Sequence, residues 1–139
     1  MKNNQAGFSL IELLLVITIL GIISTISIPL LIKAKESAEN QSAYSAMRAL
    51  STMQISYFSQ NNRFARLDEL VTNQSGFGNL AGDTLTRGRY KFVMEPLRPD
   101  DEALKKQYKI VVTSPVAGSE VPYMLSVDER GQITEPLAP

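Results

Sequence analysis

Residues 8–32 are apolar at nearly every position, with no polar face. A helix of these 25 residues, rising about 1.5 Å per residue, is long enough to cross the ~30 Å core of a bilayer. After Pro29 the pattern changes. Ala43, Ala46, Met47, Leu50, Met53 and Tyr57 recur at spacings of three and four, which makes one apolar stripe on a helix. Lys33, Lys35, Glu36, Glu39, Asn40, Gln41, Arg48 and Gln54 lie between them. No glycine or proline interrupts residues 30–60, so one helix from about residue 8 to about residue 60 is expected, roughly 80 Å long. Its first half is hydrophobic all round. Its second half is amphipathic and needs a surface to pack on. The polar run 59–63 reads as its end.

The remainder is made of shorter pieces. Residues 64–71 suit two helical turns, with Leu67, Leu70 and Val71 on one side. Residues 73–84, rich in Gly, Asn and Ser, read as a loop. Alternation of Tyr90, Phe92 and Met94 predicts a strand. Residues 98–106 read as a polar connection, and residues 107–115 as a second strand ended by Pro115. Residues 122–136 predict a hairpin, with a strand over 123–127, a turn over 128–131 and a short strand over 132–134. Three or four antiparallel strands covering the apolar stripe give an α+β fold.

Composition narrows the function more than the fold. The chain has 139 residues, the size of one ordinary domain. Fourteen basic and fourteen acidic residues cancel, so no long-range field favours nucleic acid as a partner. There is no cysteine and no histidine, which excludes disulfides, thiolate metal sites and Ser-His-Asp chemistry. Enzyme activity is disfavoured, and no cofactor or metal is expected. The charge is also unevenly placed: residues 13–32 hold no ionisable side chain, and nearly all the charge lies from Lys33 onward. A hydrophobic arm is therefore attached to a polar body. No small-residue cleavage site of the ordinary secretory kind follows the apolar run, so the arm reads as retained. Lys2 in front and Lys33 and Lys35 behind leave its orientation ambiguous.

One carboxylate, Glu12, sits in the greasy stretch, five residues past Gly7. A carboxylate in hydrocarbon is costly and needs a partner. Gly7, Phe8, Glu12 and the apolar run, with Gly21 and Pro29 further along, closely resemble the N-terminal signature of type IV prepilins and pseudopilins. The close match covers about thirty residues; the rest agrees only in its layout of long helix, loop region and antiparallel sheet, the pilin fold. The resemblance implies a leader over residues 1–7, cut between Gly7 and Phe8 by a prepilin peptidase, followed by N-methylation of Phe8. Glycine suits such a cut because no side chain blocks the backbone. The cut removes Lys2, so the implied orientation is N-terminus inside and body outside. It leaves residues 8–32 as the transmembrane and assembly segment, 33–60 as the amphipathic half of the same helix, and 61–139 as the globular head.

Cleavage also creates an α-amine on Phe8. Glu12 lies four residues on, about one helical turn away. The amine is reachable within one subunit, where the helix dipole also favours a carboxylate. It is reachable between subunits as well, and the resemblance favours this second use, in which Glu12 of an incoming copy seeks the Phe8 amine of the last one added. Gly21 and Pro29 bracket a stretch where proline removes a helix hydrogen bond, a candidate for unwinding or for an ordinary kink. Thr18, Ser24, Thr25 and Ser27 are placed to bond freed carbonyls.

The other clusters read as structural. Asp100, Asp101 and Glu102, and Asp128 and Glu129, lack the alternating spacing of a calcium loop and read as solvated turns. Tyr44, Tyr57, Phe58 and Phe64 read as core, and Arg87, Arg89 and Lys91 as a solvated face. The resemblance implies a structural subunit, the major pilin of a type IV pilus, used in adhesion, motility or related surface functions. Its implied partners are copies of itself in a helical filament, the peptidase, an inner-membrane assembly platform and, before assembly, the membrane. The alternative is a major or minor pseudopilin of a type II secretion system. Against it, the stretch Asn61, Asn62, Arg63, Phe64 begins like the "NNRYPT" run of major pseudopilins but continues without the proline. A membrane-anchored binding module or enzyme is the remaining alternative, and no catalytic constellation supports it.

Overall fold

The structure is a computed structural model that describes residues 7–72, 76–114 and 123–135. One helix, α1 (Leu10–Asn61, 52 residues), runs through the apolar arm and the amphipathic stretch without a break, with Pro29 inside it. By compactness the chain divides between residues 40 and 41, and α1 contributes to both units. The helix stops where its sequence was read to stop: Asn62 adopts a left-handed backbone, φ 54°, a conformation that asparagine tolerates and that ends helices.

In the second unit the end of α1 packs with a six-stranded sheet. After the short helix α2 (Leu67–Val71) come β1 (Asn79–Ala81), β2 (Thr84–Arg87) and β3 (Tyr90–Met94), then the short helix α3 (Asp101–Leu104), and β4 (Lys109–Ser114), β5 (Tyr123–Asp128) and β6 (Ile133–Thr134). The strands lie in chain order, each antiparallel to the next. Short links join β1 to β2, β2 to β3 and β5 to β6, and such links place neighbouring strands antiparallel, whereas β3 reaches β4 through the segment that holds α3.

The expectation of three or four strands is corrected to six among the described residues. β1 lies inside the stretch read as a loop, and β2 follows it. Only Leu85 of these two strands is fully buried, so neither shows an alternating pattern to read. Their pairing creates them: Asn79, Leu80 and Ala81 face Thr86, Leu85 and Thr84. Gly78 admits this approach, since a Cβ there would stand 2.8 Å from the Thr86 carbonyl oxygen. Residues 73–75 and Pro115, also named in that reading, lie outside the described residues. The polar connection is corrected too. It holds α3, whose Asp100 side chain accepts a hydrogen bond from the Ala103 N–H at 2.7 Å and whose Leu104 is fully buried.

The core joins Ala43, Ala46, Met47 and Leu50 of α1 to Leu85, Phe92, Ile110, Val112, Leu125 and Val127 of the sheet. Tyr90, Phe92 and Met94 face it together, as the alternation required. The apolar stripe of α1 continues differently from the expectation. Met53 and Tyr57 are only partly buried, and the stripe passes instead through Ser51 and Gln54. Gln54 had been placed on the polar side; it is fully buried. Its amide donates to the Ala65 carbonyl at 2.8 Å and accepts from the Ala65 N–H at 2.7 Å. One side chain thus satisfies a buried backbone unit that has no strand or helix partner. Replacing Gln54 with Leu is expected to lower the stability of this unit by about 2–4 kcal/mol, because it strands both Ala65 groups. Denaturant unfolding of the detergent-solubilised chain, followed by circular dichroism, measures it; a variant as stable as the parent contradicts the account.

The link after α1 is held by charge. Arg63 grips Glu69 through its two terminal guanidinium nitrogens, at 2.9 and 2.5 Å, and also donates to the Tyr57 hydroxyl at 3.1 Å. The Arg66 N–H adds a bond to Glu69 at 2.8 Å. These contacts, with the Arg63 hydrogen bond foremost, hold the Glu69 carboxyl down at about 2, although its burial opposes them. An unfolded glutamate titrates near 4.3. The lowered folded value means the stabilisation is complete above the unfolded pKa and is lost as pH falls from about 4 toward 2. Glu69→Gln is expected to cost about 1–2 kcal/mol at pH 7 and to flatten the stability profile between pH 5 and 2. Acid titration of unfolding free energy for both chains gives the comparison; parallel profiles would contradict it.

Candidate assembly helix

Gly7, Phe8 and Ser9 precede α1, and the helix is opened by the Ser9 carbonyl, which accepts from the Glu12 N–H at 3.1 Å and the Leu13 N–H at 3.2 Å. Glu12 is the acidic residue of the first turn, where the helix dipole favours a negative charge. Phe8 stands just ahead of that turn, and 87% of its surface is exposed. Its nitrogen is a backbone amide, linked to Gly7, and carries no charge. Among the described residues, Glu12 has no ion-pair partner.

Every residue from 7 to 35 is exposed. An apolar surface this large and continuous is untenable in water, so another apolar phase must cover it. Leu10–Asn61 contains a stretch long and apolar enough to cross a membrane. Its hydroxyls are accounted for internally: Thr18 donates to the Leu14 carbonyl at 2.7 Å, Ser24 to Leu20 at 2.8 Å, Thr25 to Ile22 at 2.7 Å and Ser27 to Ile23 at 2.9 Å. None of these carbonyls is the one Pro29 deprives. That carbonyl belongs to Thr25, four residues earlier, and proline has no N–H to offer it. The hydroxyls hide their own polarity and do not repair the proline gap. A Cβ at Gly21 would meet nothing within 4 Å, so no neighbour within the chain requires a glycine there.

The acidic clusters are held in local structure. Asp100 caps α3, Asp101 pairs with Arg66 at 2.6 Å, and Glu102 pairs with Lys105 at 2.6 Å. Asp128 accepts from the Arg130 and Gln132 N–H groups, each at 3.0 Å, and shapes the β5–β6 turn. Gly131 completes that turn at φ 73°. The Arg63–Glu69 lock escaped the sequence reading because its partners are six residues apart, across a helix end, where no periodic rule applies.

A span-length helix with an acid in its first turn continues into an amphipathic half packed with an antiparallel sheet, an arrangement that fits a membrane-anchored precursor. Comparison with known proteins agrees. Residues 2–28 match the family described as the prokaryotic N-terminal methylation motif. The chain is 36% identical over 77 residues to the type IV major pilin protein PilA of Myxococcus xanthus, covering 55% of this chain and 33% of that one. It is 38% identical over 68 residues to the type II secretion system core protein G of Aeromonas hydrophila, covering 49% and 48%. It is 35% identical over 80 residues to the protein of the same name from Dickeya chrysanthemi, covering 58% and 48%. The chain thus spans between a third and a half of the length of these curated relatives. No solved structure gives a significant match. Motif and relatives make the chain similar to the type IV pilins and the type II secretion pseudopilins, and its helix-and-sheet fold is consistent with theirs.

Proposed function

We propose that the chain is the major subunit of a type IV pilus, made as a precursor whose residues 1–7 are a leader. A prepilin peptidase cuts between Gly7 and Phe8 on the cytoplasmic side, and the new Phe8 amine is methylated. Residues 8–32 then span the inner membrane with the N-terminus in the cytoplasm and residues 61–139 outside. The assembly platform raises the subunit, residues 8–32 pack with those of other copies, and Glu12 finds the Phe8 amine of a neighbour. Gly21 and Pro29, at the gap left by the Thr25 carbonyl, are where the helix opens on packing. The observation that carries this reading is the register of Gly7, Phe8 and Glu12 ahead of the wholly exposed, uncharged stretch 13–32.

A pseudopilin of a type II secretion system is the second reading. It is favoured by the relatives named core protein G, which are matched over about half their length, a larger share than for the pilin. Deleting the gene and imaging sheared surface filaments separates the two. Filaments vanish while protein secretion continues if the first reading holds. Filaments that persist in a strain unable to secrete would replace it with the second.

A further inference from the structure

Two charged side chains bracket the span. Between Glu12 and Lys33 lie twenty residues, 13–32, without an ionisable group. At about 1.5 Å per residue they measure about 30 Å, the thickness of the hydrocarbon core. The segment beginning at Phe8 has 25 residues and measures about 37 Å, more than the core accommodates without tilt. One end of the longer segment must therefore leave the hydrocarbon or the helix must lean. At the far end, Lys33 and Lys35 are exposed and need the headgroup layer. At the near end, the choice lies between sinking Glu12 about one turn into hydrocarbon and lifting Phe8, Leu10 and Ile11 into the interface. The interface accepts an aromatic ring and aliphatic side chains at small cost, whereas hydrocarbon does not accept a carboxylate cheaply. The hydroxyls within residues 13–32 are already bonded to helix carbonyls, so they do not hold the shorter segment out of lipid.

We propose that the membrane-resident subunit uses Glu12 and Lys33 as the two ends of a ruler, with Glu12 in the cytoplasmic headgroup layer and only residues 13–32 in hydrocarbon. This rests on the membrane reading above and sharpens it. The carboxylate is then hydrated, and it meets the lipid headgroups and not the acyl chains. Its desolvation is postponed until the helix leaves the bilayer, and the Phe8 amine is needed only then. The bond between Gly7 and Phe8 lies clear of the hydrocarbon, within reach of a soluble-side active site.

The chain has no cysteine, so single-cysteine variants of the full chain label without background. Ile11→Cys, Ile19→Cys and Ala34→Cys are made in cells lacking assembly and probed with a membrane-impermeant maleimide. Inverted inner-membrane vesicles test the cytoplasmic side, and right-side-out spheroplasts the outer side. Labelling is expected at Ile11→Cys in inverted vesicles, at Ala34→Cys in spheroplasts, and at least tenfold less at Ile19→Cys in either. Protection of Ile11→Cys, with Ile19→Cys also protected and Ala34→Cys labelled, overturns the ruler and leaves the span intact. Labelling of Ile19→Cys overturns the membrane reading itself.

Discussion

Glu12→Ala is expected to abolish filaments while the leader is still removed. The substitution deletes the only charge in the apolar arm, so it makes membrane insertion easier and not harder. Loss of filaments therefore cannot be traced to a failed anchor. It traces to the missing partner for the Phe8 amine of a neighbouring copy. Close charge pairs across an interface couple by about 1.5–7 kcal/mol, and every 1.4 kcal/mol is tenfold in an equilibrium, so yield should fall at least tenfold. Glu12→Gln keeps the shape and the hydrogen-bonding capacity and should fail nearly as badly, which separates charge from size. Sheared filaments quantified against total mature subunit supply the measurement. Undiminished yield from Glu12→Ala would remove the proposed role.

Gly7→Val should fail one step earlier, with uncut precursor held in the membrane. A Cβ on Gly7 meets nothing within 4 Å, so the chain itself accommodates the change. The obstacle lies in the peptidase, which must bring backbone into its site past a β-branched side chain. Without the cut there is no α-amine on Phe8, so Glu12 has nothing to pair with even though it is intact. Mature subunit should drop at least tenfold and filaments with it. Intact-mass measurement of the membrane fraction distinguishes the two variants, since Glu12→Ala is cut and methylated and Gly7→Val is neither. Normal processing of Gly7→Val would overturn the assignment of the cleavage site.

Much of this was legible in the chain because its signals are local. An apolar run reports its own length, and helix rise converts that length into a span without any partner. The stripe through Ala43, Ala46, Met47 and Leu50 named the buried face of α1, and Tyr90, Phe92 and Met94 named the buried face of β3. Asn62 ended the helix where a polar run said it would. The register of Gly7, Phe8 and Glu12 is likewise a spacing along the chain.

The features that escaped are those that exist only through contact. β1 and β2 are too short, and too little buried, to carry a periodic signal; backbone pairing of β1 with β2 and of β2 with β3 makes them strands. Gln54 is polar by composition and buried by circumstance, because the Ala65 backbone comes to rest against it. Arg63 and Glu69 meet across a helix end, at a separation no helical rule addresses. Sequence alone settled the arm, its length and the place of its one carboxylate, since each depends on neighbours along the chain. Tertiary structure decided the number of strands, the polar residues that enter the core and the charge that locks the link, since each depends on which distant backbone groups are left needing a partner.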